Sequence, residues 1–252
     1  MSKTIVISQP YYFPWIGLLE QIRIADIIVH YDDVQYSKGH FQDRVQIKTA
    51  HGFKWLTVPK INYRFGQNIN EVRIDNSKNW KKSQIDFLRQ TFRRAQYTDD
   101  MLKVVESVFN HDTEFVSDLS TLSTMALADY FGLTENKQFY RASDLPVKGH
   151  GMRRVLDLVK HFEADRYITG MGALKYFDFN LMEENNVAVE FLAYIKKPYP
   201  QLYGNFNPYV SSLDLIANMG PIGNEYICSG TKGWREFIQS TEAQEYLRKM
   251  HD

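Results

Sequence analysis

Residues 4–33 read TIVISQPYYFPWIGLLEQIRIADIIVHYDD, and this stretch decides the fold. Residues 4–8 form an apolar run typical of a buried strand, and residues 26–31 form a second one. Between them, residues 15–25 carry apolar side chains at helical spacing. Strands that are joined by a helix are normally parallel, so the stretch predicts a β-α-β unit.

The rest of the chain predicts a hairpin, a helical block and a return to alternating elements. Residues 45–59 predict a β-hairpin that turns at His51 and Gly52, and residues 69–74 predict a further short strand. Residues 80–131 have helical periodicity, with Gly132 as a suitable stop. After Pro146 the pattern predicts a helix around residues 155–162, a strand at 165–170, a helix at 171–186, a strand at 187–194 and helical structure from 211 onward.

Together these patterns predict an α/β fold with a mostly parallel sheet flanked by helices, a β-hairpin excursion and a helical insert. We expect an N-terminal α/β part with the hairpin over residues 1–78 and the helical insert over residues 79–135. Residues 136–252 then form a C-terminal α/β part that completes the same domain.

The composition excludes several classes of protein. The 252 residues contain 30 Lys and Arg against 30 Asp and Glu, so there is no overall basic field for nucleic acid. The single cysteine, Cys228, excludes a disulfide within the chain, and no metal-ligand spacing is present. No apolar run reaches the ~20 residues that a membrane span needs. We predict a cytoplasmic protein without a metal, a tightly bound cofactor, a nucleic-acid partner or a membrane span; the oligomeric state stays open.

Open parallel sheets bind ligands beyond the carboxyl ends of their strands. Three predicted strands end at Ser8, at residues 30–33 and at Thr169, and we expect these ends to converge. Residues 30–44 are rich in side chains that exchange protons or bind anions. The acid–base candidates are His30, Asp32, Asp33 and His40, and the anion-binding candidates are Lys38 and Arg44. A solvated polar loop with a salt bridge is the alternative interpretation.

The turn after the first strand is unusually aromatic. Pro10 and Pro14 fix φ and stiffen the turn, so it can hold large rings in place. Tyr11, Tyr12 and Trp15 are therefore candidates for a ligand platform, with core packing as the alternative. Gly170 and Gly172 lie between a strand and a helix, where backbone N–H groups can bind a phosphate; an ordinary tight turn also fits them.

Several long motifs resemble the WbqC-like family. Its N-terminal signature resembles residues 9–38, and its arginine strand and hairpin resemble residues 41–48 and 52–59. Its Gly-rich segment resembles residues 165–177, and its C-terminal signature resembles residues 198–221, PYPQLYGNFNPYVSSLDLIANMGP. The motif-matching positions are Gln9, Pro10, Tyr12, Pro14, Trp15, Gly17, Asp26, Asp32, Asp33, Arg44, Gly170, Gly172, Tyr199, Gln201, Ser212, Asp214 and Gly220.

The resemblance adds Gln9, Tyr199 and Gln201 to the substrate-binding candidates. The family usually carries an Asn before the motif arginine, whereas this chain has Asp43 before Arg44. That change replaces an amide donor with an acceptor, so the role of this position does not transfer.

The resemblance implies an enzyme of surface-polysaccharide biosynthesis. Family members are associated with O-antigen loci, and some are regarded as glycine or other acyl-group transferases acting on amino sugars. The implied reaction joins an acyl or aminoacyl group to a nucleotide-linked amino sugar, with coenzyme A or an acyl carrier protein as thioester donor, or an activated amino acid. Two alternatives stay open: a nucleotidyl-transfer or ligase-type enzyme, and a non-catalytic module that binds a ligand or a carrier protein.

Overall fold

The computed structural model describes residues 2–249. Its helices and strands, in chain order, are β1 (Thr4–Ser8), α1 (Ile16–Ile24), β2 (Ile27–His30), β3 (Arg44–Thr49), β4 (Gly52–Thr57), α2 (Trp80–Phe92), α3 (Thr98–Phe109), α4 (Val116–Tyr130), β5 (Gln138–Arg141), α5 (Gly151–His161), β6 (Arg166–Thr169), α6 (Phe179–Glu184), β7 (Ala188–Ala193), α7 (Ser212–Met219), β8 (Gly230–Gly233), α8 (Trp234–Phe237) and α9 (Thr241–Arg248).

A six-stranded sheet organises the molecule in the order β5-β2-β1-β6-β7-β8. The first five strands in this order are parallel, and β8 pairs antiparallel with β7. A separate two-stranded sheet is the β3-β4 hairpin. The predicted α/β class, with its mostly parallel sheet and hairpin, is therefore confirmed.

Both faces of the sheet are covered, which explains why its central strands are almost entirely apolar. Val6 and Ile28 face a core shared with α1, the helical block and α7. Ile5 and Ile27 face a second core that is built with α5, α6 and α8. The alternation of side chains along each strand thus supplies both cores.

The hairpin lies on the helical block by one face. Val45, Ile47 and Leu56 enter the same core as the helices α2, α3 and α4. The Gln84 amide on α2 also donates to the Thr57 carbonyl at 3.1 Å. The opposite face of the hairpin, which carries Trp55, therefore points away from the block.

Three local predictions were wrong. Residues 69–74 are not a strand: they begin with a 3-10 turn (Ile69–Glu71), because the Asn68 and Glu71 side chains cap its backbone reciprocally. Residues 171–186 are not one helix but a 3-10 turn (Met171–Lys175) followed by α6, which starts anew at the Asp178 cap. The segment after residue 211 is helical only in part, because it also supplies the edge strand β8.

No helix within residues 2–249 combines the length and the apolarity that crossing a membrane requires.

Candidate functional site

The chain reverses its direction across the sheet at β1. From β1 it runs outward to β2 and β5, and it then returns to the other side of β1 to form β6. Such a switch point between neighbouring parallel strands leaves a crevice at their carboxyl ends. Gln9 follows β1, Tyr31 follows β2 and Gly170 follows β6 at this edge. The predicted convergence of the three strand ends is therefore confirmed.

An aromatic strip, formed by Tyr11, Phe41 and Trp55, extends from this edge onto the hairpin. The Tyr11 and Phe41 rings are 6.1 Å apart, and the Phe41 and Trp55 rings are 5.9 Å apart. The backbone N–H of Tyr12 donates to the Phe41 carbonyl at 2.9 Å, which ties the two loops together. Phe41 is 40% exposed and Trp55 is 38% exposed, so the strip offers ring surface to a ligand.

Arg44 lies beside the strip, with its guanidinium 4.1 Å from the centre of the Trp55 ring. Within the described residues this guanidinium has no ion-pair partner, since the adjacent Asp43 carboxylate pairs with Lys60. Its Nε atom is buried and has no hydrogen-bond partner there. Arg44 is thus a cation held in place by stacking, with donors that an anionic ligand can use.

Asp43, the residue that departs from the family pattern, is neutralised by the protein itself. It is 1% exposed, and its partner Lys60 comes from the segment after the hairpin. The Asn-to-Asp change is therefore compensated locally by a lysine, and Asp43 holds the base of the hairpin.

The loop between β2 and β3 brings two further candidates to Arg44. A Cβ atom placed on Gly39 would lie 3.4 Å from the Arg44 guanidinium, so this loop runs directly alongside it. Lys38 and His40 flank Gly39, and both side chains are exposed. His40 is therefore the acid–base candidate that is both open to a ligand and near the unpaired cation.

Gln9 is oriented by a residue that the sequence did not single out. The Gln42 amide nitrogen donates to Gln9 Oε1 at 2.7 Å, and Gln42 is completely buried. With its oxygen used in this way, Gln9 presents its Nε2 group as a donor at the carboxyl end of β1. The Gln42 carbonyl accepts a hydrogen bond from Ser120 on α4, so the pair is anchored to the helical block.

Two tyrosines continue the site toward β2 and β6. Burial raises the pKa of Tyr11 to about 12, and the nearby Tyr176 hydroxyl adds to the rise. Tyr176 is 66% exposed on the segment after β6. Both hydroxyl groups are protonated at neutral pH, so they can donate hydrogen bonds to a ligand.

Asp33 is engaged in a bidentate ion pair at the end of β2. The Arg154 Nη1 and Nη2 atoms on α5 donate to its two carboxylate oxygens at 2.8 and 2.6 Å. The Arg154 side chain is only 4% exposed, whereas the Asp33 side chain is 17% exposed. The pair binds α5 to the sheet, and we assign Asp33 to this structural role in place of general base.

Asp32 is completely buried and supports the backbone. Its carboxylate accepts hydrogen bonds from the Ser143 backbone N–H at 3.0 Å and the Ser143 hydroxyl at 2.7 Å. These bonds fix the turn that follows β5 beside the end of β2. Both Asp32 oxygens are therefore occupied, and the structure offers this carboxylate no route to a substrate.

His30 is buried within β2 and does not face the crevice. Its ring stacks on Phe139 at 6.3 Å, and its Nε2 atom has no hydrogen-bond partner in the described part of the chain. Burial lowers the pKa of His30 to about 4, and the Arg141 charge contributes to the decrease. The imidazole is therefore neutral at physiological pH but enclosed, so we do not assign His30 as the general base.

The buried imidazole predicts a loss of stability in mild acid. Between pH 6.5, the ordinary value for the unfolded chain, and about 4, the unfolded state binds a proton that folded His30 does not. The contribution of His30 to the free energy of unfolding is therefore fully present above pH 6.5, and it decreases as the pH falls toward about 4. At pH 4.5 we expect a decrease of roughly 2–3 kcal/mol from this group.

Urea unfolding of the wild type and of His30→Phe at pH 7.5 and pH 4.5 measures this contribution. Phenylalanine keeps the stacking on Phe139, so the variant is the matched control. Burial also raises the pKa of Asp214 to about 6, which has the opposite effect on stability, but this group is common to both proteins. An equal pH response in both proteins would contradict the assignment.

Tyr12 and Trp15 lie away from the strip. Tyr12 is completely buried, and its hydroxyl donates to Gln84 Oε1 at 2.7 Å, so it packs the helical block against the turn. Trp15 folds over Gly17 and contacts Tyr194, whose ring centre is 5.0 Å away. Tyr12 therefore packs in the core, which was the alternative interpretation of its role. Trp15 belongs to a separate, half-buried aromatic group with Tyr194.

Tyr199 and Gln201 form a closed network with Asp214. The Tyr199 hydroxyl donates to Asp214 Oδ1 at 2.9 Å and accepts from Gln201 Nε2 at 2.9 Å. Gln201 Oε1 accepts from Lys48 Nζ on the hairpin at 3.1 Å. These contacts fasten the C-terminal signature to the hairpin, and we assign Tyr199 and Gln201 to the fold rather than to ligand binding.

Gly170 and Gly172 lie at the predicted turn between β6 and the following 3-10 turn. Gly170 caps that turn, and a Cβ atom placed on it would lie 3.6 Å from the Gln21 Nε2 atom on α1. Gly172 is exposed and has open space around it. Their placement at the crevice agrees with the prediction, and their phosphate-binding role stays a prediction.

Phe41, Trp55 and Tyr176 are the site residues that sequence reasoning missed. The hairpin carried one signal, since Phe53 and Trp55 alternate with residues of the buried face and so had to face outward. Tyr176 follows a 3-10 turn that was predicted as continuous helix, and no sequence pattern indicated its position.

No group of three or more His, Cys, Asp or Glu side chains within residues 2–249 is arranged to hold a metal ion.

Fold and site together define an α/β protein with a candidate ligand site at the switch point of its parallel sheet. A model of the WbqC-like protein family matches residues 9–226. The chain is also 29% identical over 230 residues to "Uncharacterized protein Rv1507c" of Mycobacterium tuberculosis, across 89% of this chain and 97% of that protein. No solved structure matches the chain. The chain belongs to the WbqC-like protein family, as its motifs predicted.

Proposed function

We propose that this protein transfers an acyl or aminoacyl group to the amino group of a nucleotide-linked amino sugar in surface-polysaccharide biosynthesis. The aromatic strip with the unpaired Arg44 beside it is the observation that carries the proposal. Sugar rings and nucleobases stack on aromatic faces, and a guanidinium is well suited to a diphosphate. The association of the family with O-antigen loci and acyl transfer supplies the reaction class.

In the proposed reaction, His40, Gln9 and Tyr11 at the carboxyl edge of the sheet each have a defined role. The substrate amine forms a C–N bond with the carbonyl carbon of a thioester, the carbonyl oxygen becomes an oxyanion, and the C–S bond then breaks. The leaving thiolate takes the electron pair, and His40 accepts the proton that the amine loses and returns it to the thiolate. Gln9 Nε2 and the Tyr11 hydroxyl, which follow β1 at the switch point, are the donors that we assign to the oxyanion.

Mass spectrometry of the reaction mixture tests this function. The full chain is incubated with a uridine-diphosphate amino sugar and, in separate arms, an acyl-coenzyme A, an acyl-loaded carrier protein or an activated glycine. A mass gain equal to the acyl group is expected in one arm. ATP–pyrophosphate exchange without acyl transfer, or tight binding without turnover in any arm, would overturn the proposal.

Two variants connect the activity to the site. His40→Gln is expected to lower kcat about 10²- to 10⁴-fold, because it removes the proton acceptor. The matched control is His111→Gln, since His111 is an exposed histidine on the helical block, and its activity should equal that of the wild type. Equal activity of both variants would exclude His40 as the base.

A further inference from the structure

Exposed hydrophobic side chains are concentrated in one part of the chain. Of the nine large hydrophobic residues that are exposed within residues 2–249, five lie between residues 41 and 65. They are Phe41, Phe53, Trp55, Ile61 and Phe65. Phe65 is 90% exposed and Phe53 is 50% exposed, so these rings project into solvent rather than into a core. Exposed hydrophobic side chains of this size are candidates for an interaction surface.

The same part of the chain is strongly basic. Residues 34–66 contain six lysines and arginines but one acidic residue, although the whole chain has no net charge. The acidic residue, Asp43, is buried and paired with Lys60, so it adds no negative charge to the surface. Lys38 and Arg64 are exposed, whereas Lys48 is buried and Lys54 faces the helical block, with its Nζ atom 4.3 Å from the centre of the Phe87 ring. Exposed aromatic and basic side chains therefore occur together along one segment, which we call the basic aromatic arm (residues 38–65).

The packing of the hairpin directs the arm outward. One face of β3-β4 is buried on the helical block, and the other face carries the exposed Phe53 and Trp55. Lys48, which also lies on that other face, is buried by its hydrogen bonds to residues 201–205. The loop that carries Arg64 and Phe65 is fastened through Tyr63, whose ring is 4.9 Å from that of the buried Tyr36. The projecting rings thus stand on a well-packed base.

We propose that the basic aromatic arm docks this protein on an anionic membrane surface. Aromatic rings favour the interface between lipid and water, and clustered Lys and Arg side chains are attracted to anionic headgroups. Phe53 projects from the hairpin and Phe65 from the loop, which suits insertion between headgroups better than a protein interface with its packed core. The proposal does not depend on the transferase reaction.

Co-sedimentation with lipid vesicles tests the proposal. The full chain is expected to sediment with vesicles of phosphatidylcholine mixed with phosphatidylglycerol, and much less with vesicles of phosphatidylcholine alone. Added salt should weaken the binding, because the charges involved are exposed. Arg64→Gln should lower the partition coefficient about fivefold, the equivalent of about 1 kcal/mol for one basic side chain.

Phe65→Ser should also weaken the binding, and its exposure means that the fold does not depend on it. Ile222→Ser is the matched control, because Ile222 is 52% exposed but lies outside the arm. Circular dichroism checks the fold of each variant. Failure to bind the anionic vesicles, or an equal loss in Ile222→Ser, would overturn the proposal. So would binding to an acidic soluble protein through Phe65 without vesicle binding, which would assign the arm to a protein partner.

Discussion

Replacing Asp33 with alanine is expected to lower the free energy of unfolding by about 3–5 kcal/mol, because it leaves a buried guanidinium without its counter-charge. The Arg154 side chain is 4% exposed and directs two of its nitrogens at the Asp33 carboxylate. Its Nε atom is held by the Val147 carbonyl at 3.2 Å, so the side chain cannot turn to solvent without losing that bond as well. Urea denaturation at neutral pH measures the effect.

A double variant separates the ion pair from general disruption. Asp33→Leu combined with Arg154→Met removes both charges and keeps apolar volume, so it should recover most of the stability lost in Asp33→Ala. If Asp33→Ala costs less than about 1 kcal/mol, the pair resembles an exposed salt bridge and the assignment of Asp33 to the fold is wrong. Asp33 would then return to the list of acid–base candidates.

Gly220→Ala is expected to lower the free energy of unfolding by about 3–5 kcal/mol, because it introduces both backbone strain and a steric overlap. Gly220 has φ +57° and ψ −146°, a conformation that is essentially restricted to glycine. A Cβ atom there would also lie 2.5 Å from the Tyr97 ring, so the ring or the backbone must move. Thermal or urea unfolding of the variant measures the sum.

The two sources can be measured separately. Gly220→Ala in a Tyr97→Ala background lacks the steric overlap and retains only the backbone strain, so the added cost of the glycine change should be smaller there. Gly230→Ala is the control, since that glycine lacks a positive φ and has open space around it. A cost for Gly220→Ala equal to that of the control would contradict the described turn.

Most of the strands and helices that form the scaffold could be predicted from the sequence, because they depend on local patterns of side chains. The β-α-β unit of residues 4–33 is encoded by periodicity alone, and the convergence of Gln9 and Gly170 follows from parallel strands meeting at one edge. The hairpin and the helical block were predictable for the same reason. These elements place the carboxyl edge of the sheet, but not the side chains that line the site.

One missed strand explains the misplacement of two site residues. β5 pairs with β2 and brings Arg141 opposite His30, so His30 lies inside the sheet instead of at its edge. The turn after β5 then supplies Ser143, which occupies the Asp32 carboxylate. β5 has only four residues and no apolar run, so its pairing depends on the tertiary fold rather than on periodicity.

The remaining site residues depend on contacts between distant segments. Tyr199 and Gln201 are structural because their hydrogen-bond network is completed by Lys48, which lies about 150 positions earlier in the chain and donates to Gln201. The aromatic strip likewise joins Tyr11 to the hairpin through Phe41, a pairing that no local pattern encodes.

Titration calorimetry with a uridine-diphosphate amino sugar tests most directly whether the aromatic strip and Arg44 form the ligand site. The wild type should bind, and Trp55→Ala and Arg44→Gln should each weaken binding at least about tenfold, through loss of stacking and of a charge-assisted hydrogen bond. Trp234→Phe, a change in a tryptophan stacked on Phe179 in the C-terminal part, should bind as the wild type does. Undiminished binding by Trp55→Ala and Arg44→Gln, or no binding by the wild type, would contradict the account.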